Sequence, residues 1–216
     1  MRISTVEKLQ EYLDDEFSWR LKEIAHLKAT ARASESIRQG TVIRAGVPLL
    51  YAHWEGFVKN AAKGYLIFVD SQRLAYRDLS ANFVVLGAKK HINNLSSSRK
   101  THTNLEVVKF FRNEMGSRAK LRLGSAIETE SNLSSGVFQN IAITIGIDPS
   151  QYETRHRFID SELVDQRNHI AHGKYLKLNV DDYRKLADEV IVLLRWFKTD
   201  IENAASSNRF RLTVDS

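Results

Sequence analysis

The sequence predicts an all-α protein, an antiparallel bundle of helices. The 216 residues contain only two prolines, Pro48 and Pro149, so few positions forbid a helix. Apolar residues recur three and four positions apart through most of the chain, which is the spacing of one helical face. No internal repeat, low-complexity linker or clear boundary divides the chain. We therefore expect one helical domain spanning residues 1–216.

Three long helices are expected at the two ends of the chain. The first covers about Val6 to Ala33, the second about Glu35 to Val69, and the last about Val180 to Ala204. Pro48 should kink the second helix or mark its true start, and Gly46 favours close packing against another helix. The apolar stripe of the last helix comprises Tyr183, Leu186, Val190, Leu193, Leu194, Phe197 and Ile201.

The middle of the chain, at about residues 80–130, is expected to be a basic and less regular insertion. Asn82 to Leu95 and Leu105 to Glu114 have helical spacing, whereas Asn93 to Asn104 is rich in Ser, Thr and Asn and predicts a mobile loop. Lys120 to Leu123 is expected to be an extended segment. A further helix from Leu133 to Ile145 should follow the insertion.

The composition narrows the class of protein. The chain has no cysteine, which excludes disulfides and thiolate metal sites and fits a reducing compartment. The N-terminus lacks the apolar run of a signal peptide, and no segment has the roughly 18 consecutive apolar residues of a membrane span. We therefore expect a cytoplasmic protein.

The positive charge is concentrated in one segment. The formal net charge is +6, but Gly87 to Gly124 holds nine basic and two acidic residues, so this segment is +7 and the remainder −1. Such a local excess is typical of a surface that binds a polyanion such as RNA, although a solvated lysine-rich face gives the same pattern at any one position. The candidate RNA-binding residues are Lys89, Lys90, Arg99, Lys100, Arg112, Arg118, Lys120 and Arg122.

The stretch most indicative of function is Arg-Asn-His-Ile-Ala-His-Gly at residues 167–173. The fork of donors on Arg167 suits a phosphate, and His172 can move a proton near neutral pH. Asp160 is a suitable N-cap for the helix that carries these residues. Gly173 is a suitable terminator because glycine adopts the left-handed conformation without steric cost.

Helical spacing indicates how these side chains are arranged. Arg167 falls on the apolar stripe, so it either pairs with a carboxylate inside the fold or lines a cleft that receives an anion. Asn168 precedes His172 by four residues and shares its face, where the amide could fix the imidazole tautomer or help hold a phosphate. A metal shared by His169 and His172 is the weaker interpretation, because no further ligand cluster has suitable spacing.

Residues 167–173 resemble the Arg-x4–6-His signature of the HEPN superfamily, whose common form begins Arg-Asn and ends Ala-His-Gly. As in that family, the motif lies late in the chain, just before a long final helix. A second block, Leu-Tyr-Ala-His-Trp-Glu-Gly-Phe-Val-Lys at residues 50–59, is similar to the second helix of a branch of largely uncharacterised prokaryotic HEPN proteins. The two blocks and the helical framework cover most of the chain, and residues 80–130 match least.

The resemblance implies a helical bundle that forms a homodimer and brings two Arg-x4-His motifs together across a two-fold axis. It implies a metal-independent endoribonuclease without a cofactor, which leaves a 2′,3′-cyclic phosphate. Carried onto this sequence, His172 is the general acid or base, Arg167 stabilises charge on the phosphoryl oxygens, and Asn168 orients the substrate or His172. The supporting candidates are Glu55, Tyr51 and His169. In some HEPN toxins a modified tyrosine lies two residues after the histidine, whereas Tyr175 here lies three residues after it.

Three functional hypotheses remain at this point. The first is an endoribonuclease that serves as the toxin or effector of a prokaryotic toxin–antitoxin or antiviral defence system, with an antitoxin or regulatory protein as partner. The second is a non-catalytic HEPN module that binds RNA, a nucleotide or another protein. The third is a helical interaction domain in which Arg167 is only a member of a buried ion pair.

Overall fold

The structure is a computed structural model that describes residues 2–98, 100–121, 123, 126–127, 129–130 and 132–213. These residues form a bundle of packed helices and contain no β-strand, so the predicted all-α class is confirmed. Two isolated antiparallel bridges, Ala75 with Arg118 and Leu79 with Arg211, are the extended pairings within the described part of the chain.

The α-helices of the described residues have the following bounds: α1, Val6–Ala33; α2, Ser36–Ser71; α3, Ala81–Ser97; α4, Thr101–Asn113; α5, Ser135–Thr144; α6, Asp165–Ala171; α7, Val180–Ser206. Short 3₁₀ helices lie at Tyr76–Asp78 and Ser150–Arg155, and a π-helical segment lies at Phe158–Val164. The three long helices expected from the sequence are therefore present, with ends within two residues of those expected.

Helices α1, α2 and α7 pack against one another and form the frame of the bundle. The predicted apolar stripe of α7, from Tyr183 to Ile201, is buried along its whole length. Gly46 of α2 lies under the Tyr183 ring, where an added Cβ would stand only 2.3 Å from the phenol oxygen. The close packing expected at this glycine is therefore a contact between α2 and α7, and α2 continues as a helix through Pro48.

Aromatic side chains connect α2 to the second half of the chain. The Phe138 ring of α5 lies 5.0 Å from Trp54 of α2, 4.7 Å from Tyr152 and 5.4 Å from Phe197 of α7, measured between ring centroids. Large aromatic rings in such tilted and edge-on arrangements contribute both buried area and favourable ring contacts. This cluster fixes α5 against the frame.

The middle of the chain is more helical than the sequence indicates. Helices α3 and α4 pack together as a hairpin, and only residues 98–100 separate them. The mobile loop expected from Asn93 to Asn104 is wrong, because α3 continues through Ser96 and Ser97, whose hydroxyls donate to the Asn93 carbonyl. The irregular part of this region comprises the described residues of 114–134, and those of 120–123 form no strand.

The start of the motif-bearing helix also differs from the expectation. Helical structure already begins with the 3₁₀ helix Ser150–Arg155 and continues without a break through the π-helical segment Phe158–Val164 into α6. Asp160 lies inside that segment, so it is not the N-cap of the helix. Its two carboxylate oxygens instead accept the Ser135 backbone N–H at 2.7 Å and the Ser135 hydroxyl at 2.6 Å. Asp160 therefore caps the first turn of α5.

Every helix in the described part of the chain is too short or too polar to cross a lipid bilayer.

Candidate active site on α6

Helix α6 carries the motif and ends in a backbone geometry that glycine makes possible. It packs against α2 and against the π-helical segment. Gly173 has a φ of +71°. Its N–H donates to the Ile170 carbonyl at 3.0 Å, and the Lys174 N–H donates to the His169 carbonyl at 2.9 Å. This pair of bonds is the Schellman arrangement, which fixes the last turn of α6 and the position of the C-cap residue, His172.

Arg167 is half-buried and stacks on an aromatic ring of α2. Its guanidinium carbon lies 4.2 Å from the centroid of the Tyr51 ring, and Tyr51 is 2% exposed. A cation over the face of an aromatic ring is stabilised by about 0.5–2 kcal/mol, more when both groups are shielded from water. The stack fixes the plane of the guanidinium relative to α2.

Asn168 holds the same guanidinium. Its side-chain oxygen accepts a hydrogen bond from Nη1 of Arg167 at 2.7 Å. The sequence interpretation had placed this amide on His172, but the contact between Asn168 and His172 is a backbone one, in which the His172 N–H donates to the Asn168 carbonyl at 3.0 Å. In the structure, Asn168 therefore orients Arg167.

Tyr51 is itself fixed by a buried backbone group. Its phenol oxygen accepts the Leu133 N–H at 2.7 Å, which links α2 to the segment that precedes α5. Burial raises the pKa of Tyr51, the Leu133 hydrogen bond lowers it, the charge of Glu55 raises it and the charge of Arg167 lowers it. The phenol thus stays neutral between a carboxylate and a guanidinium. Glu55, half-buried one turn further along α2, is the second α2 residue of the site.

The two histidines of the motif are exposed. His172 follows the last residue of α6, and its side chain faces solvent. The Nδ1 atom of His169 lies 3.3 Å from the Asp165 carbonyl oxygen, one turn back along the helix. In the described part of the chain, no group of three His, Asp or Glu side chains is placed to hold a metal ion. The arrangement offers a guanidinium oriented by Tyr51 and Asn168, and an exposed imidazole at the end of the same helix.

The candidate RNA-binding residues lie on other elements. Those that the structure describes, Lys89, Lys90, Lys100, Arg112, Arg118 and Lys120, are all exposed on α3, α4 and the adjoining loops. Arg99 and Arg122 fall outside the described residues. The α3–α4 hairpin packs against α5 and the first 3₁₀ helix, whereas α6 packs against α2 and the π-helical segment. The basic residues therefore lie on helices and loops other than those against which α6 packs.

One contact near the motif was missed by the sequence interpretation. The guanidinium carbon of Arg44 lies 5.7 Å from the centroid of the Tyr175 ring, which is 76% exposed. A signal for it existed in the sequence, because Arg44 precedes Tyr51 by seven residues and so lies on the same face of α2. Tyr175 comes soon after His172, so this α2 face lies beside the segment that leaves the motif.

Comparison with known proteins identifies the family. The model of the family RiboL-PSP-HEPN matches residues 15–203, which is 189 of the 216 residues and includes both the α2 block and the α6 motif. No curated protein and no solved structure matches the chain. The family match supports a nuclease or an RNA-binding module. Because the matched region extends from α1 to α7, the chain belongs to the RiboL-PSP-HEPN family and thereby to the HEPN superfamily.

Proposed function

We propose that this protein is a metal-independent endoribonuclease that cleaves RNA by attack of a ribose 2′-hydroxyl on the adjacent phosphate. The observation that carries the proposal is the geometry of α6. Arg167 is oriented by Tyr51 and Asn168, and His172 stands exposed at the fixed end of the same helix. An oriented cation and an exposed imidazole on one helix are the two kinds of group that this reaction requires.

The reaction balances without a metal or a cofactor. One histidine accepts the proton of the 2′-hydroxyl as its oxygen forms a bond to phosphorus. The bond from phosphorus to the 5′-oxygen breaks, and an acid returns a proton to that oxygen. The products are a 2′,3′-cyclic phosphate and a 5′-hydroxyl. Arg167 stabilises the charge that develops on the two non-bridging oxygens, which is the role of a donor fixed before the reaction begins.

The need for both a base and an acid supports a homodimer. One chain offers His172 as the proton carrier at the end of α6, and its side chain is exposed. Two copies related by a two-fold axis would place a second His172 opposite the first, so that one accepts and the other donates the proton. We infer that the active form is such a dimer. We also infer that each chain is a single domain, because α1 and α2 at its start pack against α7 at its end.

The test is RNA cleavage by the purified protein in excess chelator. Arg167→Ala and His172→Ala should each reduce the rate by at least about 100-fold. His102→Ala, which removes an exposed histidine from α4, is the matched control and should leave the rate within twofold. Mass spectrometry should find cyclic phosphate ends, and a 2′-deoxy substitution at the cleaved position should abolish cleavage.

Four outcomes would contradict the proposal. Cleavage that survives both substitutions, or that requires added metal, excludes this mechanism. Binding of RNA without cleavage by the wild-type protein identifies a non-catalytic RNA-binding module instead. Unfolding of Arg167→Ala, seen in its circular dichroism spectrum, indicates that Arg167 serves mainly as a structural cation. Arg167→Lys provides a second comparison, because lysine keeps the positive charge but lacks the planar fork of donors.

We also infer that the activity acts on cellular RNA in a toxin–antitoxin or defence system, restrained by a protein partner. The support is family membership together with the intact Arg167 and His172. Induced expression in a bacterium should arrest growth, and expression of the His172→Ala protein at the same level should not. Equal growth of the two cultures, with cleavage demonstrated in vitro, would contradict the role as a toxin but leave the nuclease proposal intact.

A further inference from the structure

An open cleft lies between the N-terminal half of α2 and the segment that follows the motif. One wall is formed by Ile37, Gly40 and Arg44 of α2, and the other by residues 175–178. The cleft has a volume of about 580 Å³. This is within the size range of sites that bind small molecules or single nucleotides.

The two most exposed large apolar side chains among the described residues meet in this cleft. Ile37 is 88% exposed and Tyr175 is 76% exposed. Single exposed apolar residues are ordinary on a protein surface, but their convergence at the walls of one cleft indicates a surface that another molecule covers.

The charges of the cleft indicate what kind of molecule that is. Its described lining contains two cations, Arg44 and Lys177, and no carboxylate. The guanidinium of Arg44 lies within cation–π distance of the Tyr175 ring. An exposed aromatic ring beside cations is the combination that binds unpaired nucleotides, because bases stack on the ring while the cations attract the phosphates.

The position of the cleft relates it to the proposed reaction. Arg44 and Tyr51 lie on one face of α2, two helical turns apart, which corresponds to about 10 Å along the helix axis. Tyr51 carries the Arg167 guanidinium, and Tyr175 follows His172 by three residues. A nucleotide in the cleft would therefore be next to the nucleotide whose phosphate reaches Arg167.

Gly40 keeps one wall of the cleft open. A Cβ atom added at Gly40 would meet no heavy atom within 4 Å, so packing does not require a glycine at this position. A glycine inside a helix costs about 0.5–1 kcal/mol relative to alanine. The open space beside Gly40 permits close approach of a ligand to the backbone of α2.

We propose that this cleft binds an unpaired nucleobase of the RNA substrate, adjacent to the phosphate that is cleaved. The base stacks on Tyr175, and Arg44 together with Lys177 holds the flanking phosphate. This inference rests on the proposed ribonuclease function and specifies its substrate as single-stranded RNA at the site of cleavage.

The test measures binding separately from cleavage. The His172→Ala protein, which should not cleave, is titrated with a short fluorescent single-stranded RNA at one fixed salt concentration. In that background Tyr175→Ala should weaken binding about tenfold, and Tyr175→Phe should bind within twofold of the parent. Gly40→Leu should also weaken binding, because its side chain fills the cleft. Trp19→Ala is the matched control and should bind as the parent does, since it removes an exposed aromatic ring from α1 that does not line the cleft.

A second probe identifies the partner of the ring. An RNA that lacks one base at the position in the cleft should bind the parent more weakly, and Tyr175→Ala should weaken binding of this probe no further. Such non-additive losses indicate that the ring and the base contact each other. Independent, additive losses would overturn the assignment of the base to Tyr175.

The outcomes also separate this inference from the proposed function. If Tyr175→Ala and Gly40→Leu bind as tightly as the parent, the nucleobase site is wrong even when the wild-type protein cleaves RNA. If Tyr175→Ala instead changes the oligomeric state in sedimentation experiments, the cleft belongs to an interface between copies of the chain. If binding depends on Tyr175 while no RNA is cleaved, the site stands and the nuclease proposal fails.

Discussion

Arg167 illustrates how a charged side chain can be kept in a partly buried position with a fixed orientation. The Tyr51 ring covers one face of its guanidinium, and the Asn168 oxygen accepts from its Nη1 atom. A flexible arginine must lose rotamer freedom when it binds a phosphate, at a cost of up to about 2 kcal/mol. Here the fold has already restricted those rotamers, so less entropy remains to be lost on binding RNA.

The role of Asn168 can be tested by a change of charge without a change of shape. Asn168→Asp should place a carboxylate on the Arg167 guanidinium and partly neutralise it. Binding of RNA, measured in the His172→Ala background, should weaken about tenfold, because a carboxylate competes with phosphate for the same cation. The control is Asp165→Asn, which also changes one charge but does so at an exposed residue in the first turn of α6. Unchanged affinity of Asn168→Asp would show that Arg167 does not contact the RNA.

Tyr51 should have two separable roles, one for each part of its side chain. Tyr51→Phe keeps the ring under Arg167 but removes the oxygen that accepts the buried Leu133 N–H. The free energy of unfolding should fall by about 1–3 kcal/mol, the cost of an unsatisfied buried donor, while RNA cleavage persists. Urea denaturation measures the first effect. Tyr175→Phe, which removes the hydroxyl of an exposed side chain, should change the free energy of unfolding by less than about 0.5 kcal/mol. Equal stabilities of Tyr51→Phe and the wild type would contradict this account.

At the scale of residues, the sequence identified the motif but not the contacts its members make. Arg167, Asn168 and His172 were recognisable because their types and spacing are unusual together. Helical spacing placed Asn168 against His172, since residues four apart share a face. The structure has Asn168 on its immediate neighbour Arg167, because the long arginine side chain bends over Tyr51 and reaches sideways. That bend depends on a contact between distant parts of the chain, which spacing along one helix does not encode.

At the scale of elements, the C-terminus of α6 determines where His172 lies. Gly173 has positive φ, and the two Schellman bonds close the last turn directly after the C-cap histidine. Gly173→Ala should lower the free energy of unfolding by about 1–2 kcal/mol, because L-residues with a Cβ are strained in the left-handed region. Gly173→Asn should lower the free energy of unfolding by a smaller amount. Cleavage should fall with Gly173→Ala, since the last turn and His172 shift together.

The control for this glycine is another one without backbone strain. Gly136 of α5 has helical backbone and open space where a Cβ would be. Gly136→Ala should therefore leave the protein equally stable or stabilise it by about 0.4–1 kcal/mol. Urea denaturation of the two variants compares them directly. A Gly173→Ala protein as stable as Gly136→Ala would show that the left-handed turn does not fix the end of α6.

Asp160 connects the motif-bearing helix to α5. The sequence predicted it as the N-cap of its own helix, since an aspartate followed by Ser161 and Glu162 is typical of a helix start. The helix instead continues N-terminally through the π-helical segment beyond Asp160, and the carboxylate accepts hydrogen bonds from Ser135. Local propensity could not reveal this, because the group that Asp160 caps is 25 residues away along the chain.

Asp160→Ala should remove both hydrogen bonds to Ser135. The expected loss in the free energy of unfolding is about 1–3 kcal/mol, since the first N–H of α5 loses its acceptor and a part-buried side-chain hydrogen bond is broken. Glu162→Ala, an exposed acidic residue in the same π-helical segment, should cost less than about 0.5 kcal/mol. Thermal unfolding of both variants measures the difference. Equal melting temperatures would show that the cap contributes nothing to the attachment of α5.

At the scale of the whole molecule, the frame was the part best predicted from sequence. Apolar spacing identified α1, α2 and α7 because long amphipathic helices repeat the same signal over many turns. The sequence underestimated the helical content of the α3–α4 hairpin, because serines and asparagines are typical of loops. Here the hydroxyls of Ser96 and Ser97 donate to the Asn93 carbonyl within α3. The α2–α6 contact followed from neither pattern, since packing between helices depends on the shapes of both surfaces.

The frame also contains a titratable group that makes the stability of the whole fold depend on pH. His53 of α2 is 4% exposed, and its Nε2 atom lies 3.1 Å from a carboxylate oxygen of Glu23 on α1. Burial lowers the pKa of His53, the Glu23 carboxylate raises it, and the nearby Arg20 guanidinium lowers it, with a net lowering. The folded protein therefore favours the neutral imidazole over the imidazolium.

The sign of the pH effect follows from this lowered pKa. The unfolded chain takes up a proton at His53 below about pH 6.5, where the folded protein resists protonation. The contribution of neutral His53 is complete above that pH and is lost as pH falls through the folded pKa. Urea midpoints at pH 7.5, 6.5 and 5.5 should therefore fall more steeply for the wild type than for His53→Gln. His26→Gln, an exposed histidine of α1, should keep the wild-type slope. If the stability of His53→Gln fell with pH as steeply as that of the wild type, the pH dependence would have to arise at other groups. The contact between α1 and α2 at His53 would then not respond to acid.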